Sequence, residues 1–172
     1  VQTAIDTGLD PVTVVVGHDR DAIRAAVDGL PLRIVDNDDY EEGMASSIRA
    51  GVRAIAAEVD AAVFLLGDMP LVAAHHLGPL LAAFAAEPDR GICIPTYRTK
   101  RGNPVLWSAR YFPRLLELRG DQGARVLLRE FAARIVEVEI PDDGVLVDID
   151  TEAALETVLS RLTGREATRD VR

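Results

Sequence analysis

The chain has 172 residues, of which 48% are hydrophobic and 27% are charged, and its formal net charge is −9. This length and apolar content fit a single folded domain and exclude a disordered protein. The acidic balance argues against a protein that coats nucleic acid or anionic lipid, and every apolar stretch is too short to span a bilayer. Cys93 is the only cysteine, which excludes an internal disulfide and fits a cytoplasmic protein.

The chain starts at Val1, in what reads as the second half of an amphipathic helix that closes at Gly8. This start has neither the charged beginning nor the apolar core of a signal peptide. We therefore expect the natural chain to extend upstream of Val1. We also expect one domain over residues 1–162, followed by a polar tail over residues 163–172.

From residue 12 onwards, short apolar runs bounded by turn residues alternate with amphipathic stretches. The predicted strands are VTVVVG (12–17), LRIVD (32–36), AAVFLL (61–66), GICIPTY (91–97), VLWS (105–108), RIVEVEI (134–140) and VLVDID (145–150). The predicted helices are 19–30, 44–59, one with the stripe Leu77, Leu80, Leu81 and Phe84, 111–118, 123–133, and a last one with Leu155, Val158, Leu159 and Leu162 inward. This alternation predicts βαβ units in a mostly parallel sheet with helices on both faces, and one antiparallel excursion near GICIPTY or VLWS.

Asp68 follows the apolar run AAVFLLG and precedes Met-Pro. One interpretation makes Asp68 a turn or helix-cap residue, with Pro70 near the start of the next helix. The other places its carboxylate at the carboxyl edge of the sheet, where it holds Mg²⁺ together with substrate phosphates. Gly67 would then let a ligand approach the backbone closely.

A second carboxylate for such a site is offered by VDIDT, residues 147–151. In an extended run Asp148 and Asp150 point to the same side, because side chains alternate. Asp150 or Thr151 would also serve as the N-cap of the last helix. Since a cap needs only one residue, Asp148 remains a metal candidate.

Other polar segments have both a functional and an ordinary interpretation. The helix start GMASSIRAG, with Ser46 and Ser47, has free backbone N–H groups that suit contact with a phosphate, ribose or base edge. The ordinary interpretation is that a serine caps this helix. The basic loop RTKRGNP and the glycine-rich turn RGDQGAR either meet anionic substrate groups or are simply solvated. His75 and His76, adjacent at a helix start, are expected at the surface. The sequence contains no GxxxxGK[ST], GxGxxG or GxSxG motif, which disfavours P-loop, dinucleotide-binding and hydrolase interpretations.

In this order and spacing, the segments GMASSIRAG, LLGDMPLV, RGNPVLWS, GDQGARVLL and VDIDTEAAL resemble the MobA-like nucleotidyltransferases, most closely the molybdenum cofactor cytidylyltransferases. The resemblance covers nearly the whole chain, to about residue 160. It implies a Rossmann-like three-layer α/β/α sandwich of the nucleotide-diphospho-sugar transferase type. It also implies transfer of a nucleoside monophosphate, CMP by preference or GMP, from an NTP to the phosphate of molybdopterin, with release of pyrophosphate.

The resemblance further implies roles for single residues. Asp68 is the catalytic acid and a ligand of Mg²⁺, and Asp148 or Asp150 is the second metal carboxylate. Ser47 contacts the base or ribose. The remaining nucleotide-binding positions are Gly43, Ser46 and Gly67, and the acceptor pocket is flanked by Arg101, Gly102, Asn103, Pro104, Asp121, Gly123 and Arg125. The implied partners are CTP or GTP and a molybdopterin-type substrate, with transient contact to a molybdoenzyme or its chaperone. The chain is expected to be a monomer or weak dimer.

The chain departs from the family pattern at its beginning. The family starts with a strand and a glycine-rich loop whose arginine and lysine cradle the triphosphate, and this segment is absent here. We therefore expect the sheet to show an unfilled edge or groove where that strand belongs, and the chain as printed to lack its chief triphosphate clamp. The alternative functions are transfer to another phosphorylated acceptor, or a non-catalytic binding module of the same fold.

Overall fold

The computed structural model describes residues 1–87, 89–121 and 123–169, with side chains as far as Thr163. The strands are β1 (Thr13–Val16), β2 (Arg33–Asp36), β3 (Ala61–Phe64), β4 (Ile92–Tyr97), β5 (Lys100–Arg101), β6 (Val105–Ser108) and β7 (Ile135–Glu139). The helices are α1 (Gln2–Asp6), α2 (Arg20–Ala26), α3 (Met44–Ile55), α4 (Ala74–Ala86), α5 (Phe112–Leu116), α6 (Arg125–Glu130) and α7 (Glu152–Arg169). None of these described helices combines the length and apolar character that crossing a membrane requires.

The strands form a mixed sheet in two parts. β1 and β2 pair in parallel, with Val14 opposite Ile34. β3 pairs antiparallel with β6, and β4 pairs antiparallel with β6 and β5 and parallel with β7. Consequently β3, β4 and β7 run in one direction, and β6 and the two-residue β5 run against them. The expected α/β fold is confirmed, and the antiparallel excursion expected near GICIPTY or VLWS is strand β6, at VLWS.

Alternating side chains on the central strands separate two helical layers. On β4, Ile92 and Ile94 pack into the cluster that includes α3 and α5, whereas Cys93 between them packs against Leu80 of α4. β6 divides in the same way, with Trp107 on the first side and Leu106 on the second. Because each strand is buried on both faces, its residues read as a continuous apolar run, and the three-layer α/β/α architecture is confirmed.

The expected discontinuity in the sheet is present between β1 and β3. Among the described residues, β1 pairs only with β2 and β3 pairs only with β6, so that each keeps one open edge. Helix α3 packs against both parts of the sheet. Gly51 lies against Val15 of β1, and Ile48 belongs to the same apolar cluster as Phe64 of β3. One helix therefore covers both open-edged strands.

Three features near the C-terminus differ from the sequence prediction. VLVDID is not a strand, because Leu146 N–H donates to the Asp143 carbonyl and closes a 3₁₀ turn over Asp143–Val145. The polar tail predicted for residues 163–172 continues as helix α7 to Arg169, and residues 170–172 lie outside the described residues. Of the predicted apolar stripe on α7, Val158 is buried, whereas the remaining members are exposed: Leu155, Leu159 and Leu162.

The loop after β5 crosses this 3₁₀ turn at close range. Gly102 N–H donates to the Pro95 carbonyl at 2.8 Å, and Asn103 N–H donates to the Val145 carbonyl at 2.9 Å. A Cβ atom on Gly102 would overlap the Val145 carbonyl oxygen. The glycine is thus required by the close approach of two backbones.

We expect Gly102→Ala to lower the free energy of unfolding by about 1–3 kcal/mol, because the added methyl group forces the loop off the turn. The matched control is Gly78→Ala, at an exposed position of α4 where a Cβ atom meets nothing within 4 Å. That control should be neutral or stabilise by up to about 1 kcal/mol. Urea denaturation followed by circular dichroism measures both, and equal effects of the two substitutions would contradict the packing argument.

Candidate functional site

Two segments that carry three aspartates meet beyond the carboxyl end of β3. The Ile149 backbone N–H donates to the Asp68 carbonyl at 2.9 Å, so Asp148 and Asp150 lie on either side of the residue bonded to the Asp68 turn. All three aspartates are exposed. Within the described part of the chain, their carboxylates make no hydrogen bond or ion pair. The two acidic segments predicted to form one site are therefore adjacent, and their side chains are free to bind a ligand.

The helix-cap interpretation does not account for these residues. Thr151 caps α7, since its Oγ1 accepts from Ala154 N–H at 3.2 Å, which leaves Asp148 and Asp150 without a capping role. Helix α4 begins after Ala73, and Asp68 donates or accepts no capping bond there. Pro70 lies in the turn that the bond from Val72 N–H to the Met69 carbonyl closes, just before α4 begins at Ala74.

The chemistry of this carboxylate set fits a hard divalent cation. Mg²⁺ and Mn²⁺ prefer oxygen ligands, and Mg²⁺ is usually held by one or two carboxylates with water and substrate phosphates completing its shell. Asp68, Asp148 and Asp150 do not bring their oxygens within 4.8 Å of one another as a group of three. This open spacing leaves room for substrate oxygens, and the backbone bond between Asp68 and Ile149 would orient the ligands.

On the other side of the sheet edge, a buried asparagine supports the start of α3. Asn37, directly after β2, donates from Nδ2 to Ser46 Oγ at 2.8 Å and to Ser47 Oγ at 3.0 Å. Ser46 Oγ in turn donates to the Gly43 carbonyl at 2.8 Å, and Ser46 is only 2% exposed. Ser46 therefore supports the helix start from inside, contrary to the expected nucleotide contact. Ser47 is half-buried, and its hydroxyl is held in place by Asn37.

The loop predicted to contact the acceptor packs on the same helix start. Ala45 N–H donates to the Gly120 carbonyl at 3.0 Å. Gly43 has φ = 96°, and a Cβ atom there would overlap the Asp121 carboxylate. A Cβ atom at Gly123 would lie 2.8 Å from Met44 Sδ, and Gln122 lies outside the described residues. Since Ala45 and Ser46 N–H both have backbone partners, the expectation of free N–H groups is wrong for these two.

A buried arginine, which the sequence prediction missed, ties this loop to α3. Arg49 is 7% exposed, donates to the Leu118 carbonyl at 2.8 Å and pairs with Glu42 at 2.6 Å. The sequence indicates this burial only indirectly, because Arg49 lies on the same face of the helix as the apolar Val52. Arg125, at the start of α6, is exposed and makes no hydrogen bond or ion pair with any described residue. Its charge is therefore available to an anionic ligand.

The RGNP segment lies on the carboxylate side of the site. Arg101 is paired with Glu137 at 2.6 Å, so part of its charge is already neutralised. Asn103 is joined through its N–H to Val145, in the turn that leads to the 148–150 segment, and Pro104 is buried. A side chain at Gly67 would meet no protein atom within 4 Å, so protein packing does not require glycine there.

The two histidines near the same turn are not both at the surface as expected. His76 is fully buried, and its Nε2 lies 3.0 Å from Asp142 Oδ1, whereas the exposed His75 places Nε2 2.8 Å from Oδ2. Gly144 N–H also donates to Asp142 Oδ1. Burial raises the pKa of Asp142, but the bonds from His75, Gly144 and His76 together outweigh it and hold this pKa at about 2, below the ordinary 3.8.

This depressed pKa predicts an acid dependence of stability. The stabilising contribution of ionised Asp142 is complete above the ordinary pKa of 3.8 and is lost as the pH falls towards 2. With Asp142 partly exposed, we expect the advantage of wild type over Asp142→Asn in free energy of unfolding to fall by about 1–2 kcal/mol between pH 4 and pH 2. Urea denaturation at each pH measures it, and a constant difference would contradict the assignment.

Comparisons with known proteins identify the family of this chain. The family profile described as the MobA-like NTP transferase domain matches residues 1–138. The purine catabolism protein PucB of Bacillus subtilis (strain 168) is 37% identical over 120 residues, which cover 66% of this chain and 54% of PucB. The chain thus spans about half the length of that relative. The nicotine blue oxidoreductase of Paenarthrobacter nicotinovorans is 30% identical over 158 residues, covering 87% of this chain and 76% of that protein.

Solved structures show the same fold. A homologue of Mycobacterium tuberculosis Rv0371c from Mycobacterium sp. strain JC1 superposes with a TM-score of 0.81 at 25% identity, over 94% of this chain and 80% of that one. Rv0371C from Mycobacterium tuberculosis H37Rv, solved in complex with manganese, gives a TM-score of 0.76 at 24% identity, over 92% and 83%. With a family match across most of its length, the chain belongs to the MobA-like NTP transferase domain family.

Proposed function

We propose that this protein transfers a nucleoside monophosphate from an NTP to the phosphate of molybdopterin and releases pyrophosphate, with CTP the preferred donor and GTP the second choice. Membership of the MobA-like family supports the reaction class. The observation that carries the proposal is the backbone bond from Ile149 to Asp68, which joins two segments whose three aspartates have no side-chain partner among the described residues. The acceptor rests on the resemblance of RGNPV and GDQGAR to the cofactor branch, and the preference for CTP rests on the resemblance to the molybdenum cofactor cytidylyltransferases.

In the proposed reaction Asp68, with Asp148 or Asp150, would hold Mg²⁺. Manganese in the related Rv0371C structure supports a divalent cation at such a fold. The bound cation supplies positive charge for the triphosphate oxygens and the departing pyrophosphate. An oxygen of the acceptor phosphate attacks the α-phosphorus as the bond from that phosphorus to the bridging oxygen breaks. Because the attacking oxygen is already anionic, no residue has to remove a proton.

The remaining residues bind and orient the two substrates. We assign Ser47 and Gly43 to the nucleotide, with Asn37 holding the Ser47 hydroxyl in place. On the acceptor side, the unpaired Arg125 is a better anion ligand than Arg101, which already shares its charge with Glu137. Transient contact with a molybdoenzyme or its chaperone would follow from a product of this kind.

The role of Asp68 is tested by the substitution Asp68→Ala. We expect kcat to fall by on the order of 10²-fold or more, because a metal-held charge worth several kcal/mol is lost. Thermal stability should hardly change, since the exposed carboxylate has no partner among the described residues. Asp60→Ala is the matched control, an exposed acid at the opposite end of β3. Near-normal turnover combined with a marked loss of melting temperature would make Asp68 a structural residue.

Substrate choice is tested by turnover assays that combine CTP or GTP with molybdopterin or methylerythritol phosphate. Formation of CMP-molybdopterin and pyrophosphate supports the proposal. Methylerythritol phosphate as the sole acceptor would refute the assignment of the acceptor. Nucleotide binding without turnover of any pair would favour the non-catalytic binding module.

Single Asp148→Ala and Asp150→Ala variants in the same assay identify the second metal ligand by the larger loss of kcat.

A further inference from the structure

His75, His76 and Asp142 form a hydrogen-bonded cluster that the proposed chemistry does not use. Their ligand atoms all lie within 4.8 Å of one another, and the two imidazole rings are 3.9 Å apart between centroids. Asp142 accepts bonds from both rings, and its Oδ1 accepts a further bond from Gly144 N–H. His76 is fully buried, so its bonds to protein groups are shielded from water.

The hydrogen bonds of His76 favour a structural tie over a metal site. Its Nδ1 accepts from Ala73 N–H at 3.0 Å, which places the proton of the neutral ring on Nε2, facing Asp142. A cation on Nε2 would move that proton to Nδ1, where it would oppose the Ala73 N–H. The neutral ring is satisfied at both nitrogens only as a donor to Asp142.

This tie joins the two segments that carry the candidate cation ligands. His76 lies at the start of α4, shortly after the Asp68 turn, and Asp142 opens the 3₁₀ turn that leads to residues 148–150. Gly144 in that turn lies against the His76 ring and the Leu71 carbonyl. At their other ends, the same two segments are joined by the bond from Ile149 N–H to the Asp68 carbonyl. The segments are thus fastened at two separate points.

We propose that His76 and Asp142 are positioning residues for the divalent-cation site of Asp68, Asp148 and Asp150, and this inference rests on the proposed function. Three carboxylates at one sheet edge repel one another until a cation binds. The bond between His76 and Asp142 opposes the separation of their segments, so the ligands are already arranged when the cation arrives. The same turn holds the Val145 carbonyl against Asn103 N–H, which places the RGNP loop beside the cation site.

The test is Mn²⁺ binding to this chain, followed by loss of the electron paramagnetic resonance signal of free Mn²⁺, with no turnover required. Asp142→Ala and His76→Asn should each weaken binding by about 10-fold, as expected when a supporting contact of a metal site is removed. His76→Asn keeps an acceptor for Ala73 N–H and removes only the donor to Asp142. It therefore tests the same tie from the other side, even where Asp142→Ala impairs folding.

Two matched variants separate positioning from charge and from general damage. Asp142→Asn should bind Mn²⁺ within about 3-fold of wild type, since one amide oxygen can accept from both His76 and Gly144 as Oδ1 does. Asp143→Ala removes an equal charge from the same turn, where it pairs only with Arg161 among the described residues, and should bind normally. The positioning role would be overturned if Asp143→Ala weakened Mn²⁺ binding as much as Asp142→Ala does. It would also be overturned if Asp142→Asn weakened Mn²⁺ binding that much.

The outcome with Asp68→Ala separates this inference from the function on which it rests. If Asp68→Ala binds Mn²⁺ normally, or if the wild-type chain does not bind Mn²⁺, the cation site is overturned and the proposed mechanism with it. Loss of binding in Asp68→Ala with normal binding in Asp142→Ala and His76→Asn would overturn only the positioning role. Loss of binding in His76→Asn but not in Asp68→Ala would place the cation at the histidine cluster. That result would contradict both the positioning role and the cation site of the proposed mechanism.

Discussion

The hydrogen bond from the Ile149 backbone to the Asp68 carbonyl determines the geometry of the whole acidic edge. It joins the turn that follows β3 to a segment that is far away in the sequence. Because both partners are backbone groups, the bond leaves the carboxylates of Asp68, Asp148 and Asp150 free. In a chain of net charge −9, an edge that concentrates acids without pairing them is costly unless a cation binds there. The arrangement suits a ligand that brings its own negative charge together with a metal.

The helix start opposite this edge is held by buried polar groups. Asn37 and Arg49 are 4% and 7% exposed, and each has hydrogen-bond partners that satisfy it. A buried amide or guanidinium without a partner costs more free energy than an exposed one, so such groups specify one arrangement of their neighbours. Here they fix Ser47 and the loop of Asp121 on the same helix. The two halves of the site are thus supported independently, one by Asn37 and Arg49 and the other by the His76–Asp142 bond.

Much of the fold follows from local patterns in the sequence. The alternation of short apolar runs with amphipathic stretches predicted the order of strands and helices, since each pattern suits burial in one kind of element. The position of Asp68 at the end of β3 follows from an apolar run that stops at Gly67. These features depend on neighbours within one turn or one strand, which a single sequence displays.

Tertiary structure alone decided which polar side chains are buried and which are free. His76 bonds to Asp142, 66 positions away, and Arg49 bonds to Leu118, 69 positions away. No local pattern in the sequence reports such a partner, so His76 was expected at the surface and Asn37 was not considered. The same holds for α7, whose Leu155 and neighbours form an apolar stripe that this fold leaves exposed. Periodicity shows that a helix has an apolar face, but only the packed chain determines whether another element covers that face.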